Sequence, residues 1–250
     1  MSINILSFIK ALYFWPLFIV ATAFWYSLIL IINILQFFKL IHDPHAKFSH
    51  YCAYMWAKSI IQLMPGWKVH IIGRENIPAN NQTCVVVANH ESIADIWAMY
   101  HLGIQFKWMS KIENFRLPLI GHALKMAKYV PVRRGSKDSH HAALTLSKEW
   151  IEKGISMLFF PEGTRTKEPG KIQVFKAGAF KLACDTSAPL LPVAISGAGE
   201  LIKKGSGLPR PGRADIKLKI LPLVYLDKNQ NLDELIHKVR EQIVEARAGL

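Results

Sequence analysis

A histidine and an aspartate lie five positions apart in residues 85–95, which read VVVANHESIAD. The apolar run predicts a buried strand ending at Asn89 and His90, with a helix beginning just after it. A turn between the two can fold the carboxylate of Asp95 back onto the imidazole of His90. An aspartate that accepts a hydrogen bond from one ring nitrogen leaves the other free to take a proton. The pair therefore predicts a general base, although spacing alone is better explained by a surface histidine and a helix-capping aspartate.

The sequence offers this pair no recognisable nucleophile motif. The sequence has no GxSxG pattern, and none of Cys52, Cys84 and Cys184 lies in a turn suited to a nucleophile. We therefore expect the substrate to supply the nucleophile, for example an alcohol that His90 deprotonates. One histidine and one aspartate are too few ligands to predict a metal site. The odd number and the spacing of the cysteines disfavour a disulfide framework and a cysteine zinc site.

A second apolar run ends in a polar turn at residues 158–165, which read LFFPEGTR. Arg165 is a bidentate donor suited to phosphate, and the amides of Gly163 and Thr164 can add to it. Glu162 is expected either to hold Arg165 or to receive a substrate hydroxyl. Taken alone, the segment is better explained as a Pro-Gly loop with a solvated ion pair.

Further cations follow two other predicted strands. Arg133 and Arg134 end the strand at residues 129–132, and Lys111 follows the strand around Trp108. Because such sheets place their sites at strand ends, these side chains and Arg165 are expected to share one edge. A cluster of cations there favours an anionic ligand.

The composition limits the classes of protein to consider. The chain has 250 residues, 51% of them hydrophobic, and a net charge of +13 from 31 basic and 18 acidic residues. The apolar content excludes a disordered chain. Nucleic acid is a disfavoured partner because the basic residues are scattered and no binding motif occurs. A Walker A loop and a GxGxxG pattern are both absent, so nucleotide-binding folds have no support.

The N-terminal region predicts attachment to a membrane. Residues 11–38 carry no Asp, Glu, Lys, Arg or His, and as a helix they extend about 42 Å, more than a bilayer core requires. Pro16 is expected to interrupt the run, and residues 46–64 have the pattern of an amphipathic helix. Residues 1–64 are therefore predicted to form either a two-helix monotopic anchor, which is favoured, or a single span. If they span, flanking lysines weakly place the body on the cytoplasmic face.

Residues 65–250 are predicted to form one α/β domain. Strand and helix patterns alternate, which favours a mixed, largely parallel sheet flanked by helices. The predicted strands are residues 68–72, 84–88, 107–109, 129–132, 156–160, 190–195 and 215–223. The predicted helices are residues 93–102, 119–128, 138–153, 176–185 and 233–247.

Four blocks in this order resemble those of the glycerolipid acyltransferases, in particular the 1-acyl-sn-glycerol-3-phosphate acyltransferase family. They are residues 89–95 for the H-x4-D block, 129–134 for the arginine block, 160–165 and 191–195. Lys111 and residues 175–178 also look like family positions. The resemblance covers about residues 65–200. Many relatives have Gln where this chain has Glu91, and Arg134 is preferred over Arg133 as the family's arginine.

The resemblance implies a reaction and a role for each site residue. His90 is then the general base for the 2-hydroxyl of a lysophosphatidic acid, and Asp95 orients it. The acyl donor is acyl-CoA or an acyl-acyl carrier protein, and neither a metal nor an organic cofactor is implied. Arg165, Lys111 and Arg134 are implied to hold the phosphate of the acceptor. Glu162, Gly163 and Thr164 belong to the same substrate-binding pocket.

Three other interpretations stay open from the sequence. In the first, the acceptor is another lysophospholipid or lyso-lipid, because the four blocks indicate only the chemistry that these enzymes share. In the second, the chain is a catalytically inactive, membrane-binding relative, which the intact His90 and Asp95 disfavour. In the third, the chain is a membrane-tethered nucleic-acid binder, which leaves the four blocks unexplained.

Overall fold

A seven-stranded sheet forms the centre of the molecule in the computed structural model. The structure describes residues 5–79, 82–166, 168, 170–202, 209–210, 212–226 and 230–250. The helices are α1 (Ile5–Phe37), α2 (Lys47–Gln62), α3 (Ala94–Met99), α4 (Ile120–Met126), α5 (Lys137–Glu152), α6 (Gly178–Thr186) and α7 (Leu232–Ala248). The strands are β1 (Trp67–Ile72), β2 (Val85–Ala88), β3 (Phe106–Lys111), β4 (Val130–Val132), β5 (Ser156–Phe159), β6 (Leu190–Ser196) and β7 (Ala214–Ile220).

The strand order is β1-β7-β6-β2-β5-β3-β4. Every neighbouring pair is parallel except β6 and β7, which are antiparallel. The five strands from β6 to β4 therefore end at one common edge, while β1 and β7 run in the opposite direction. This arrangement confirms the predicted mixed, largely parallel sheet.

Helices cover both faces of the sheet, so the sheet lies between two apolar cores. Successive residues of β2 alternate between these cores, with Val86 in one and Val85 and Val87 in the other. The first core lies under α1 to α4 and includes Phe14 and Trp97. The second lies under α5 to α7. A strand buried on both faces explains why β2 is uniformly apolar in sequence rather than alternating.

The helix α1 pairs with α2 and packs against the body along much of its length. Tyr13 donates a hydrogen bond from its hydroxyl to the sulfur of Met64 at 3.3 Å, and Asn33 donates to the hydroxyl of Ser49 at 3.5 Å. The two helices are therefore antiparallel. Residues Ile9–Phe37 are long and apolar enough to cross a membrane, judged by length and composition.

The helix α1 continues through Pro16, so the expectation that this residue interrupts it is wrong. Proline removes only one backbone hydrogen bond, and tertiary packing can compensate for that loss. Phe14 is fully buried and its ring lies 5.7 Å from that of Trp67. Contacts on both sides of Pro16 therefore hold the helix in place, since Phe18 also packs against Trp97.

Most boundaries differ by one to three residues from those that the sequence predicts, and two of these differences have a clear local cause. The helix α2 begins at Lys47, where the Asp43 carboxylate accepts the main-chain N–H groups of Lys47 and Phe48 at 2.7 and 2.9 Å. Such an acceptor satisfies amides that a helix start leaves unpaired. The strand β7 ends at Ile220, two residues before Pro222, which has no N–H to donate to a ladder.

Candidate active site

The four polar segments predicted from the sequence follow the carboxyl ends of four adjacent parallel strands. His90 follows β2, Glu162 follows β5, Lys111 ends β3 and Arg133 follows β4. Pairing of Val86 with Leu158, and of Lys111 with Val132, sets these strands side by side. The sheet thus gathers at one edge residues that are up to 72 positions apart, as from His90 to Glu162.

His90 and Asp95 form the hydrogen-bonded pair that the general-base interpretation requires. The Nδ1 atom of His90 lies 2.7 Å from Oδ2 of Asp95. Asp95 is fully buried in α3, and the side chain of His90 is 13% exposed. Because a carboxylate only accepts hydrogen bonds, this contact places the proton on Nδ1. The Nε2 atom of His90 is then the basic nitrogen.

The turn before α3 holds the Asp95 carboxylate in position. Its Oδ2 atom also accepts the main-chain N–H groups of Glu91 and Ser92, at 2.6 and 2.8 Å. The other oxygen, Oδ1, is buried without a hydrogen-bond partner among the described residues. The same oxygen atom of Asp95 therefore binds the turn that precedes α3 and orients His90. Asp95 is not the N-cap of α3, which is Ile93, so the helix-capping interpretation is wrong.

The ring of His90 stacks on that of Phe160. Their centroids are 4.2 Å apart and the planes differ by 21°. Phe160 directly follows β5, so the second polar segment supplies one wall of the histidine site. The stacking and the bond to Asp95 together restrict rotation of the imidazole.

Glu162 binds the main chain and does not pair with Arg165 in the described part of the chain. Its Oε1 accepts the N–H of His90 at 2.7 Å, and its Oε2 accepts the N–H of Gln173 at 2.9 Å. The residue is only 4% exposed. Burial raises the pKa of Glu162, while the two amides oppose that shift. Glu162 thus joins the two polar segments, a position different from the expected pairing with a guanidinium.

Gly163 adopts a backbone conformation that suits glycine, with φ at 71°. A Cβ atom at this position would lie 2.7 Å from Nζ of Lys176, whose side chain crosses the turn. Thr166, three residues on, donates its N–H to the carbonyl of His90 at 2.9 Å. The turn is therefore held to the histidine segment from both sides, through Glu162 and through Thr166.

The expected phosphate-binding cations line the same edge of the sheet and are accessible. Arg134 and Arg165 are exposed, as is Thr164. Lys111 is partly exposed, and its Nζ lies 3.9 Å from the carboxylate of Glu113. These residues lie on the β5, β3 and β4 side of His90, so the cations form one flank of the site. Pro192 lies on the opposite flank in β6, paired with Val87 of β2.

Two contacts of this site were not foreseen from the sequence. The side chain of Asn89 donates to the carbonyl of Ile195 at 2.9 Å and accepts its N–H at 2.8 Å. Arg247 of α7 pairs with Glu91, which follows His90 in sequence. Asn89 had a signal, because a polar residue at the end of a buried strand must find partners. Arg247 had none, since 156 positions separate it from Glu91.

Among the described residues, no group of three or more His, Cys, Asp or Glu side chains could hold a metal ion. Cys52 and Cys84 are buried and Cys184 is exposed, all as free thiols. Burial raises the pKa of the Cys84 thiol to about 11. A thiol with such a pKa is a poor nucleophile at neutral pH.

Several known proteins are similar to this chain. The family model described as Acyltransferase matches residues 68–196, the segment that contains all four blocks. A chloroplastic 1-acyl-sn-glycerol-3-phosphate acyltransferase from Brassica napus is 37% identical over 209 residues, which are 82% of this chain and 59% of the relative. One from Arabidopsis thaliana is 39% identical over 170 residues, 68% of this chain and 47% of the relative. The chain thus spans about half to three fifths of the length of these plant relatives.

A solved structure is similar over nearly the whole chain. The crystal structure of the 1-acyl-sn-glycerophosphate acyltransferase from Thermotoga maritima superposes with a TM-score of 0.82 at 26% identity. The match covers 97% of this chain and 95% of that one. It includes the N-terminal helices as well as the sheet.

Proposed function

We propose that this chain, which belongs to the Acyltransferase family, transfers a fatty acyl group from a thioester to the 2-hydroxyl of 1-acyl-sn-glycerol-3-phosphate. The observation that carries the proposal is the 2.7 Å contact between His90 Nδ1 and Asp95 Oδ2 at the cationic edge of the sheet. The names of the plant and bacterial relatives support the choice of acceptor. The product is phosphatidic acid, a precursor of phospholipids.

His90 acts as the general base in this mechanism. Its Nε2 takes the proton of the acceptor hydroxyl while the oxygen attacks the thioester carbonyl, forming the new C–O bond. Collapse of the tetrahedral intermediate breaks the C–S bond, and the thiolate takes the proton back from the imidazolium. Asp95 accepts from Nδ1 throughout and so stabilises the positive charge on the ring. Because the acceptor supplies the nucleophile, no acyl-enzyme forms.

The cations at the strand ends bind the phosphate of the acceptor. Arg165 offers two parallel donors, and Lys111 and Arg134 add charge from the neighbouring strands. All three side chains reach solvent, so a phosphate can approach them from outside. Gly163 and Thr164 shape this pocket, whereas Glu162 contributes by holding the turn in place. No cofactor is required, because the thioester of acyl-CoA or acyl-acyl carrier protein is already activated.

The N-terminal helices bring this site to the membrane. The outward side of α1 exposes a continuous set of large apolar side chains, and Phe48 and Tyr51 of α2 extend it. Members of the set on α1 include Leu12, Leu17, Ile19, Val20, Phe24, Ile31, Ile34 and Phe37. Because the inward side of α1 packs on the body, α1 and α2 enter one leaflet together as a helical hairpin. The active site then faces lysolipid at the surface of the bilayer.

A panel of acceptors and donors with the purified protein in mixed micelles tests this proposal. The acceptors are lysophosphatidic acid, lysophosphatidylcholine and monoacylglycerol, each offered with acyl-CoA and with acyl-acyl carrier protein. We expect lysophosphatidic acid to be acylated fastest, because it alone presents an unsubstituted phosphate to the cations. Faster acylation of lysophosphatidylcholine contradicts the proposed acceptor. Absence of transfer to any acceptor from either donor supports an inactive relative instead.

A further inference from the structure

The C-terminal helix α7 makes its polar contacts with the loops of the active site. Its buried face packs in the second core through Leu235, Val239 and Ile243. Two arginines beside that face, Arg240 and Arg247, are seven positions apart, which places them on the same side of a helix. Neither resemblance nor spacing had assigned these residues a role.

Arg240 binds the loop that follows the second polar turn. Its Nη2 donates to the carbonyl of Ile172 at 2.8 Å, and its Nε donates to the carbonyl of Gln173 at 3.1 Å. Gln173 in turn donates its N–H to Glu162, whose other oxygen accepts the N–H of His90. A continuous chain of hydrogen bonds thus runs from Arg240 to the catalytic histidine.

Arg247, in the last turn of α7, makes a second connection to the site. Its Nη1 donates to the carbonyl of Gly170 at 3.0 Å, and its Nη2 pairs with the carboxylate of Glu91. The side chain of Arg247 is only 17% exposed and that of Glu91 only 10%. Burial raises the pKa of Glu91, and the charge of Arg247 opposes that shift. Removal of Arg247 therefore leaves a buried carboxyl group beside His90 without its partner, which is costly.

We infer that Arg240 and Arg247 are positioning residues for acyl transfer: they fix the segment at residues 170–173 and Glu91, and through these the place of His90. Both connections end on residues adjacent to or bonded to His90, whereas neither arginine contacts the imidazole itself. This inference rests on the proposed role of His90. Because catalysis by a positioned base is sensitive to displacements of about 1 Å, loss of either arginine is expected to reduce kcat on the order of 10- to 100-fold.

The test compares kcat and KM for lysophosphatidic acid in Arg240→Met, Arg247→Met and two controls on the same helix. Lys238→Ala removes an exposed cation, and Val239→Ala removes buried apolar volume without touching the loops. We expect both arginine variants to lose kcat with little change in KM for the acceptor. Both controls should keep kcat, although Val239→Ala lowers the melting temperature. The inference is overturned if Val239→Ala and Arg247→Met lose the same melting temperature and also lose kcat equally. The loss of kcat would then follow from lower stability of the fold and not from displacement of His90.

Restoration by a second substitution separates positioning from simple contact. Glu91→Gln retains an oxygen that can accept from Arg247 and should keep most of kcat. Combined with Arg247→Met, the same change removes the unpaired carboxyl group and should recover part of the lost kcat. A double variant no faster than Arg247→Met contradicts the assigned link. If the unaltered protein transfers no acyl group, the proposed function is refuted. If the unaltered protein is active and the arginine variants keep its kcat, only the present inference is refuted.

Discussion

The carboxylate of Glu162 accepts the main-chain N–H of His90 at 2.7 Å. This bond joins the segment after β5 to the segment after β2. The resemblance to acyltransferases had placed Glu162 in the substrate pocket. In the structure it is buried and occupied on both oxygens, by His90 and by Gln173. Glu162 therefore connects the two polar segments into one rigid site.

Replacing Glu162 with Gln should reduce kcat rather than weaken acceptor binding. A glutamine offers one acceptor oxygen in place of two, so one of two buried amides loses its partner. The expected loss of kcat is on the order of 10-fold or more, because the base is displaced. Steady-state kinetics over a range of lysophosphatidic acid concentrations check it. A raised KM with unchanged kcat would return Glu162 to the phosphate pocket.

Replacing Arg165 with Ala should mainly raise KM for the phosphate-bearing acceptor. A charged hydrogen bond to phosphate contributes about 1.5–3 kcal/mol, which corresponds to roughly 10- to 100-fold in KM. The matched control is Lys181→Ala, which removes an exposed cation from α6. Kinetics with lysophosphatidic acid provide the measurement. Equal KM values for the two variants remove Arg165 from the phosphate site.

Charge on the outward face of α1 should release the protein from membranes. Val20→Asp with Phe24→Asp places two carboxylates among side chains that are 64% and 55% exposed, so the fold should tolerate them. Transfer of charge into the apolar part of a leaflet is costly. Sedimentation with anionic phospholipid vesicles measures the bound fraction, with Leu146→Asp on α5 as control. Full binding of the double variant at high salt contradicts a membrane role for this face. Deleting α1 is a poorer test, because fully buried Phe14 belongs to the first core.

Lys107 should make stability depend on pH above neutrality. The residue is fully buried and donates to the carbonyl of Ala127 at 2.7 Å, and burial lowers its pKa from 10.5 to about 7. Between these values the unfolded chain binds more protons than the folded one, so stability rises with pH. The slope approaches at most about 1.4 kcal/mol per pH unit.

Melting temperatures in detergent between pH 7 and pH 10 measure this dependence. The variant Lys107→Met should lack the increase in stability with pH that Lys107 contributes. At pH 7 it should have a higher melting temperature than the unaltered protein. The exposed Lys148 on α5 provides the control, because Lys148→Met should leave the profile unchanged. A profile in Lys107→Met that matches the unaltered protein contradicts the prediction.

The sequence was informative where a residue's neighbours in the chain are also its neighbours in space. His90 and Asp95 are joined by a short turn, so the local pattern was enough to offer their contact as one of two interpretations. The alternation of apolar strands and helices likewise predicted the sheet and the edge at which polar residues collect. Parallel strands end together, which is why Lys111, Glu162 and His90 could be placed at one edge without a structure.

Contacts across the sheet or from the chain terminus were out of reach of the sequence. Of the two roles expected for Glu162, the pairing with nearby Arg165 was wrong, because the amides that Glu162 binds belong to residues 11 and 72 positions away. The pair of Arg247 with Glu91 depends on how α7 packs across the second core. Lys107 was assigned to a strand, but nothing in its neighbours indicated that its ammonium group would be buried.

Thiol release from acyl-CoA or acyl-acyl carrier protein, on addition of lysophosphatidic acid, tests the central claim most directly. His90→Ala should lose turnover on the order of 10²- to 10⁴-fold, because it lacks the base. The melting temperature of this variant and its binding to vesicles should match those of the unaltered protein. Neither of the two proteins should release thiol before the acceptor is added. Turnover by folded His90→Ala comparable with that of the unaltered protein would contradict the account.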